Sequence, residues 1–275
     1  MNPDDLLYIY ELAGTVDRPE ACFGQELLAH WREGDSTFLF FSGPAAAAMP
    51  AFLAGHPGLS WLRTHEITYR DWQAGESLEV MEIGRLRIIP LGRPVPADGR
   101  GPAVIIDPGV VFGSGQHPTT RDSLRALLRV YEEDSPARVL DLGTGTGILA
   151  LAALKLGARE VFAVDWNPAC VANACRNAAL NGLSERLRVV EGAAEKYVAE
   201  QADLLLANLH FAVVGELVQS PAFYQKTWVL VSGLLRSEAH AIKDRLQQPA
   251  FTLVQEWETD GTWFTLLGRN RAPHV

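Results

Sequence analysis

The run Val139-Leu140-Asp141-Leu142-Gly143-Thr144-Gly145-Thr146-Gly147-Ile148-Leu149 has the composition of a buried strand that feeds a glycine-rich turn and then an apolar helix. Glycines in such a turn let backbone amides approach a ligand with no Cβ in the way, and the helix start adds the positive end of a dipole. Something small and polar can sit there. A dinucleotide fingerprint needs a third glycine at position 148, where Ile148 stands, and no Lys-Ser/Thr pair follows as a phosphate-binding P-loop requires. Both phosphate readings weaken. Asp165 ends the next strand-like run, 22 residues after Gly143, where a carboxylate can accept two hydrogen bonds from ribose hydroxyls. A ribose without a pyrophosphate is the implied ligand. Many glycine-rich turns merely pack a helix closely on a sheet, but Asp165 at this distance favours the ligand-holding reading.

Such residues need a scaffold. The apolar runs ARVLDLG, EVFAVDW, LRVVEG, ADLLLANL and TWVLVSG alternate with stretches that each hold one helix. Strands apolar on both faces, joined by crossovers of that length, predict a doubly wound, mostly parallel α/β sheet covered by helices. Asn167 before Pro168 supplies an N-cap and a first-turn proline, and Asn181-Gly182 a left-handed stop, which frames a helix over 168–180. Leu124, Leu127, Leu128 and Tyr131 predict an amphipathic helix that opens near Pro118. Two strand-like runs around Asp260-Gly261 predict an antiparallel C-terminal hairpin.

The earlier part of the chain reads as a small α+β unit. LLYIYELA and STFLFFS have strand composition, with helical spacing suggested between them by Cys22, Leu27, Leu28 and Trp31. Short extended pieces follow from Thr64, then the Pro/Gly-rich GRPVPADGRGP, which reads as a flexible connection. Three segments are therefore expected: 1–64, a linker over 65–102, and 103–275. With 275 residues, 48% of them hydrophobic and 21% charged, the chain is long and apolar enough for a sizeable core, which excludes a disordered or fibrous protein. The net charge of −9 disfavours a large nucleic-acid footprint and suits a basic protein partner. Cys22, Cys170 and Cys175 form no disulfide framework and read as reduced thiols of a cytoplasmic protein. The acidic start disfavours a secretory signal, and prolines and glycines break the one long uncharged stretch, so no membrane span is expected.

Two more segments narrow the reading. Ile106-Asp107-Pro108-Gly109-Val110-Val111-Phe112-Gly113-Ser114-Gly115-Gln116-His117-Pro118-Thr119-Thr120 resembles the FGTGxHxTT signature of the ribosomal protein L-eleven methyltransferases. ADLLLANLH matches that family's strand-end motif at Ala207, Asn208 and Leu209, TYRDW with IGRLRIIP resembles its interdomain linker, and LALAALKLGA is close to its pattern. The order strand, GxGxG turn, helix, strand, acid likewise resembles the class I methyltransferase fold. The resemblance runs over residues 65 to 270 and touches the N-terminal unit only loosely.

It implies a seven-stranded sheet, S-adenosylmethionine as cofactor and no metal. It also implies that 1–64 captures a ribosomal protein, that the linker reorients it, and that 103–275 methylates lysine ε-amines and the terminal α-amine. A cytoplasmic monomer follows. Carried over by motif, the cofactor residues are Thr120, Gly143, Asp165 and Asn208, with Thr119, Asp141 and Gly145 beside them, and Asn208 and Phe112 stand at the transfer site. Each has a plainer alternative. Thr119 and Thr120 can simply cap a helix, Asn208 can satisfy a turn, Asp141 can brace the loop, and Phe112 can be a core or lid aromatic. His117 and His210 read as loop residues rather than acid or base. Asp165→Ala is expected to abolish activity with near-normal folding. Ser114 in place of the usual threonine, His210 in place of a small apolar residue, and a missing second Trp-Lys pair after Trp72 depart from the family.

Overall fold

A computed structural model of the chain describes residues 4–16, 19–33, 35–72, 79–95 and 101–271. The chain divides into two compact units, Met1–Ser77 and Leu78–Val275.

The first unit is a four-stranded antiparallel sheet of β1 (Leu6–Ala13), β2 (Leu27–Glu33), β3 (Ser36–Phe41) and β4 (Ser60–Thr68), ordered β2-β3-β1-β4. Short helices α1 (Glu20–Phe23), α2 (Met49–Ala54) and α3 (Tyr69–Trp72) accompany it. Its core gathers Tyr10, Leu12, Phe23, Leu39, Phe41, Met49 and Phe52. The helical spacing at Cys22, Leu27, Leu28 and Trp31 does not become a helix. Only α1 and a 3-10 turn at Gly24–Glu26 form, and from Leu27 the chain pairs with β3, with His30 opposite Leu39 and Trp31 opposite Phe38. Pairing with β3 satisfies one edge of that segment's backbone, and so short a stretch has little helical stability of its own to set against it.

The second unit opens with β5 (Met81–Ile83), β6 (Leu86–Pro90) and β7 (Ala103–Ile106), a three-stranded sheet with β6 in the middle. Of the stretch 65–102, the end of β4, α3, β5 and β6 are thus regular structure; β6 is buried throughout, with Leu86 and Ile88 in the core. Residues 73–78 and 96–100 lie outside the described residues.

Helix α4 (Pro118–Glu133) leads into the main sheet, formed by β8 (Arg138–Leu142), β9 (Glu160–Asp165), β10 (Leu187–Glu191), β11 (Leu204–Asn208), β12 (Trp228–Leu235), β13 (Phe251–Thr259) and β14 (Trp263–Asn270). The order is β10-β9-β8-β11-β12-β14-β13. The first five strands run parallel; β14 and β13 are antiparallel and joined through Asp260 and Gly261, at φ 54° and 65°. Two left-handed residues suit the twist of a tight hairpin. Helices α5 (Ile148–Leu156), α6 (Pro168–Leu180), α7 (Phe211–Leu217) and α8 (Arg236–Arg245) cover both faces. Alternate residues of each strand feed two separate cores: Val139, Leu204 and Leu206 on one face, Leu140, Leu142, Leu205 and Ala207 on the other. That is why these strands carry no polar face. Helix α6 starts and stops as its capping residues predict, with Asn167 accepting from the amide of Ala169 at 2.9 Å and Gly182 at φ 66°. No helix among the described residues is long and apolar enough to cross a membrane.

Candidate functional site

The sheet register places three of the expected residues side by side. Leu142 pairs with Val164 on one side and Ala207 on the other, so Gly143, Asp165 and Asn208 leave one edge of the sheet at neighbouring strand ends, about 4.8 Å apart per strand. The chain winds outward from β8 to β10, then crosses back to β11, which makes this edge the switch point where ligands of open α/β sheets bind.

The glycine-rich turn is tightly held by its own chain. The amides of Gly143 and Thr144 donate to the Val164 carbonyl, that of Gly145 to Asp165 Oδ2 at 2.9 Å, that of Thr146 to the Phe112 carbonyl at 3.0 Å, and that of Gly147 to the Thr144 carbonyl. A Cβ on Gly143 would overlap the Leu209 side chain, and one on Gly145 the Phe112 carbonyl. These two glycines therefore make room for the loops after β11 and β7, and the turn amides are already partnered.

What remains open is on side chains. Asp165 is only 6% exposed, and its carboxylate accepts two backbone hydrogen bonds, from Gly145 and from Asn167 at 3.0 Å, and one from the Cys170 thiol. A carboxylate can accept about four. Burial lifts its carboxyl above the usual carboxylate range, against the pull of those bonds. The thiol is a weak donor, and the capacity that remains suits a ribose hydroxyl. Asp141 is fully buried, takes the Thr144 hydroxyl at 2.6 Å, and is pushed up to about 7 by burial, with Asp165 adding to the rise.

Neither threonine caps α4. His117 does so, its Nδ1 accepting from the amide of Thr119 at 3.3 Å and lying 2.7 Å from the Thr119 hydroxyl. Thr120, 1% exposed, is left with a buried hydroxyl that has no hydrogen-bond partner among the described residues. An orphaned hydroxyl at a helix start is what an incoming carboxylate would satisfy. These observations fit a nucleoside bearing an amino-acid tail. Asn208 lies at the end of β11, half-buried, and a Cβ on Gly233 of the next strand would come within 3.2 Å of its Oδ1. Phe112 is half-exposed and so not a core residue; its ring stands edge-on to His117 at 5.3 Å, and His117 edge-on to Trp263 at 4.8 Å. Burial lowers the His117 pKa, so the trio is an uncharged wall at neutral pH.

The family model described as "Ribosomal protein L11 methyltransferase (PrmA)" matches residues 52–271. The chain belongs to this family. The Ribosomal protein L11 methyltransferase of Deinococcus radiodurans is 34% identical over 266 residues, 90% of this chain and 92% of its own length. That of Klebsiella pneumoniae is 34% identical over 247 residues, 87% and 82% of the two chains. The crystal structure of a ribosomal protein L11 methylase from Lactobacillus delbrueckii subsp. bulgaricus superposes with a TM-score of 0.62 at 27% identity, over 70% of this chain and 99% of that one.

Within the L11 methyltransferase fold, two departures are structurally mild. Ser114 keeps a hydroxyl that accepts from the Gln116 amide at 3.4 Å, and His210 is the exposed N-cap of α7, its Nδ1 accepting from Ala212. Sequence reasoning missed Trp166, 54% exposed directly after Asp165, and Trp263, which only the hairpin register brings to His117. An aromatic following the acid was the available signal for the first; none was available for the second. No cluster of three metal-ligating side chains occurs among the described residues. A cleft of about 1060 Å³ lined by Val218, Tyr224, Arg245 and Phe251 opens at the opposite end of the sheet and contains none of these groups.

Proposed function

We propose that the chain transfers methyl groups from S-adenosylmethionine to amines of ribosomal protein L11, lysine ε-amino groups and the N-terminal α-amino group, in the cytoplasm where ribosomes are built. The observation that carries the reading is the alignment of Gly143, Asp165 and Asn208 at three neighbouring strand ends in a chain of this family. When bound, the cofactor supplies an electrophilic methyl group on a sulfonium.

The chain's part is holding and shielding. Asp165 takes a ribose hydroxyl on its remaining acceptor capacity and Thr120 takes the cofactor carboxylate, with Thr119 held aside by His117. Asp141 braces the turn through Thr144 while Gly143 and Gly145 let the covering loops close down on it. Asn208, at the end of β11, offers its side-chain Oδ1 to orient the attacking nitrogen. A free lysine titrates near 10.4, so the acceptor must be brought to its neutral form. The apolar, uncharged wall of Phe112, His117 and Trp263 favours that form by desolvation and then accommodates the alkylammonium product on aromatic faces. Methyl transfer of this kind depends chiefly on alignment, so neither a metal nor a covalent nucleophile is called for.

The test is direct. Incubation with isotopically labelled S-adenosylmethionine and purified L11, followed by peptide mass spectrometry, should place label on lysine side chains and the amino terminus. Saturable cofactor binding with an unlabelled L11 would overturn the acceptor assignment.

A further inference from the structure

Helix α6 carries Asn173, Asn177 and, at its C-cap, Asn181, spaced four residues apart on one side. Opposite them runs β7 and its continuation. Asn181 accepts from the amide of Ile105 at 2.9 Å and donates to its carbonyl at 2.7 Å; Asn177 does the same for Asp107, at 2.8 and 3.0 Å. The match is geometric: four helical residues rise about 6 Å, close to the two-residue repeat of a strand. One turn earlier Asn173 only packs against Gly109, whose Cβ, if present, would stand 2.5 Å from Asn173 Nδ2, and that Nδ2 makes no hydrogen bond among the described residues. The amides of Asn177 and Asn181 thus stand in for a neighbouring strand along the free edge of β7, the outer strand of its sheet.

Asn177 does more than its neighbours. Fully buried, its Nδ2 has two N–H groups for three acceptors: besides the Asp107 carbonyl they reach the carbonyl of Thr146, inside the glycine-rich turn, and Asn173 Oδ1, each at 2.9 Å, so one N–H is shared. Thr146 in turn donates its amide to the Phe112 carbonyl and its hydroxyl to the Gly113 carbonyl at 2.7 Å. One side chain therefore joins the start of the 107–116 loop to the turn at 143–147, and the turn holds the middle of that loop. We infer that Asn177 is a positioning residue that locks the loop bearing Phe112 and the glycine-rich turn into one unit, so that cofactor cradle and acceptor wall are assembled together. The consequence for catalysis rests on the function proposed above; the coupling does not.

Amide hydrogen exchange on the full-length protein without cofactor tests the coupling first. The amides of Asp107 and Thr146 should open together, with equal protection that rises in parallel when S-adenosylhomocysteine is added; independent opening of the two amides overturns the inference. Asn177→Leu should then uncouple them, raise the S-adenosylhomocysteine dissociation constant roughly tenfold, and both raise the cofactor KM and lower kcat at saturating cofactor. Asn181→Leu, which loses only bonds to Ile105 and the Asn177 carbonyl, should lower the thermal midpoint while leaving that dissociation constant within about twofold. A folded Asn177→Leu with unchanged cofactor affinity overturns the inference, and so does an Asn181→Leu with an equal loss of affinity. Failure of the parent protein to bind S-adenosylhomocysteine counts instead against the proposed function, since the exchange result without cofactor stands by itself.

Discussion

Asp165 is asked to do two things at once. It closes the turn by holding the amides of Gly145 and Asn167, and under the proposed function what acceptor capacity the Cys170 thiol leaves serves the ribose. Asp165→Ala is therefore expected to destabilise the fold, where the sequence by itself suggests near-normal folding, because two buried amides lose their acceptor at about 1–3 kcal/mol each. The expected result is a thermal midpoint several degrees lower and no measurable heat on S-adenosylhomocysteine titration below that midpoint. Undiminished affinity would count against the ribose assignment. Asp141 makes a prediction in pH. Its folded pKa of about 7 lies above the 3.8 of an ordinary Asp, so between those values the folded chain keeps a proton that the unfolded chain has lost. The stability it contributes is complete below about pH 4 and disappears as pH rises through about 7, and Asp165 slopes the same way. The stability of Asp141→Asn relative to the parent should thus climb with pH across that window in urea titrations. A pH-independent difference would show that Asp141 is not the titrating group.

At the scale of elements, the turn and the loop over it are held by a close backbone approach, which separates two glycines of similar conformation. Gly145 at φ 55° faces the Phe112 carbonyl where a Cβ would go, whereas Gly182 at φ 66° has nothing within 4 Å. Gly182→Ala should cost about 1 kcal/mol, the left-handed penalty alone. Gly145→Ala should cost about 2–4 kcal/mol and weaken cofactor binding, since the Thr146 to Phe112 bond must also break. Equal costs in denaturant titrations would refute the close-approach argument. The contrast also explains what could be read in advance. Helix α6, the start of α4, the parallel strands and the hairpin announce themselves through local caps, proline, turn residues and periodicity. Strand β2 does not, because Leu27, Leu28 and Trp31 happen to fall at helical spacing and only β3 decides otherwise. The cap of α4 was hidden because histidine is an uncommon cap, and the isolation of the Thr120 hydroxyl depends on neighbours that no local pattern reveals. Asp165 and Asn208 were legible because each ends an apolar run; Trp263 was not, because its place beside His117 depends on the pairing of β14.

The molecule as a whole is built of two units with separate cores. The first closes its own antiparallel sheet around Tyr10, Phe23, Phe41 and Phe52, and sets Trp31, Phe40 and Trp72 in mutual ring contact at 5.1 Å. The second buries both faces of its main sheet and contains every residue assigned to the cofactor and the reacting nitrogen. A unit with a complete core and a complete site should fold and bind without its neighbour. A fragment spanning 78–275 is therefore expected to unfold cooperatively and to bind S-adenosylhomocysteine within about threefold of the full chain. Alignment of the acceptor is a different matter, since holding two reactants together contributes much of the rate in a reaction without covalent or metal assistance. If residues 1–64 supply the grip on L11, the fragment should lose about a hundredfold in kcat/KM toward L11, some 2.7 kcal/mol, while its slow methylation of a free lysine peptide is unchanged. Retention of full activity toward L11 by the fragment would transfer acceptor recognition to the second unit, and loss of cofactor binding would show that the two cores are not independent.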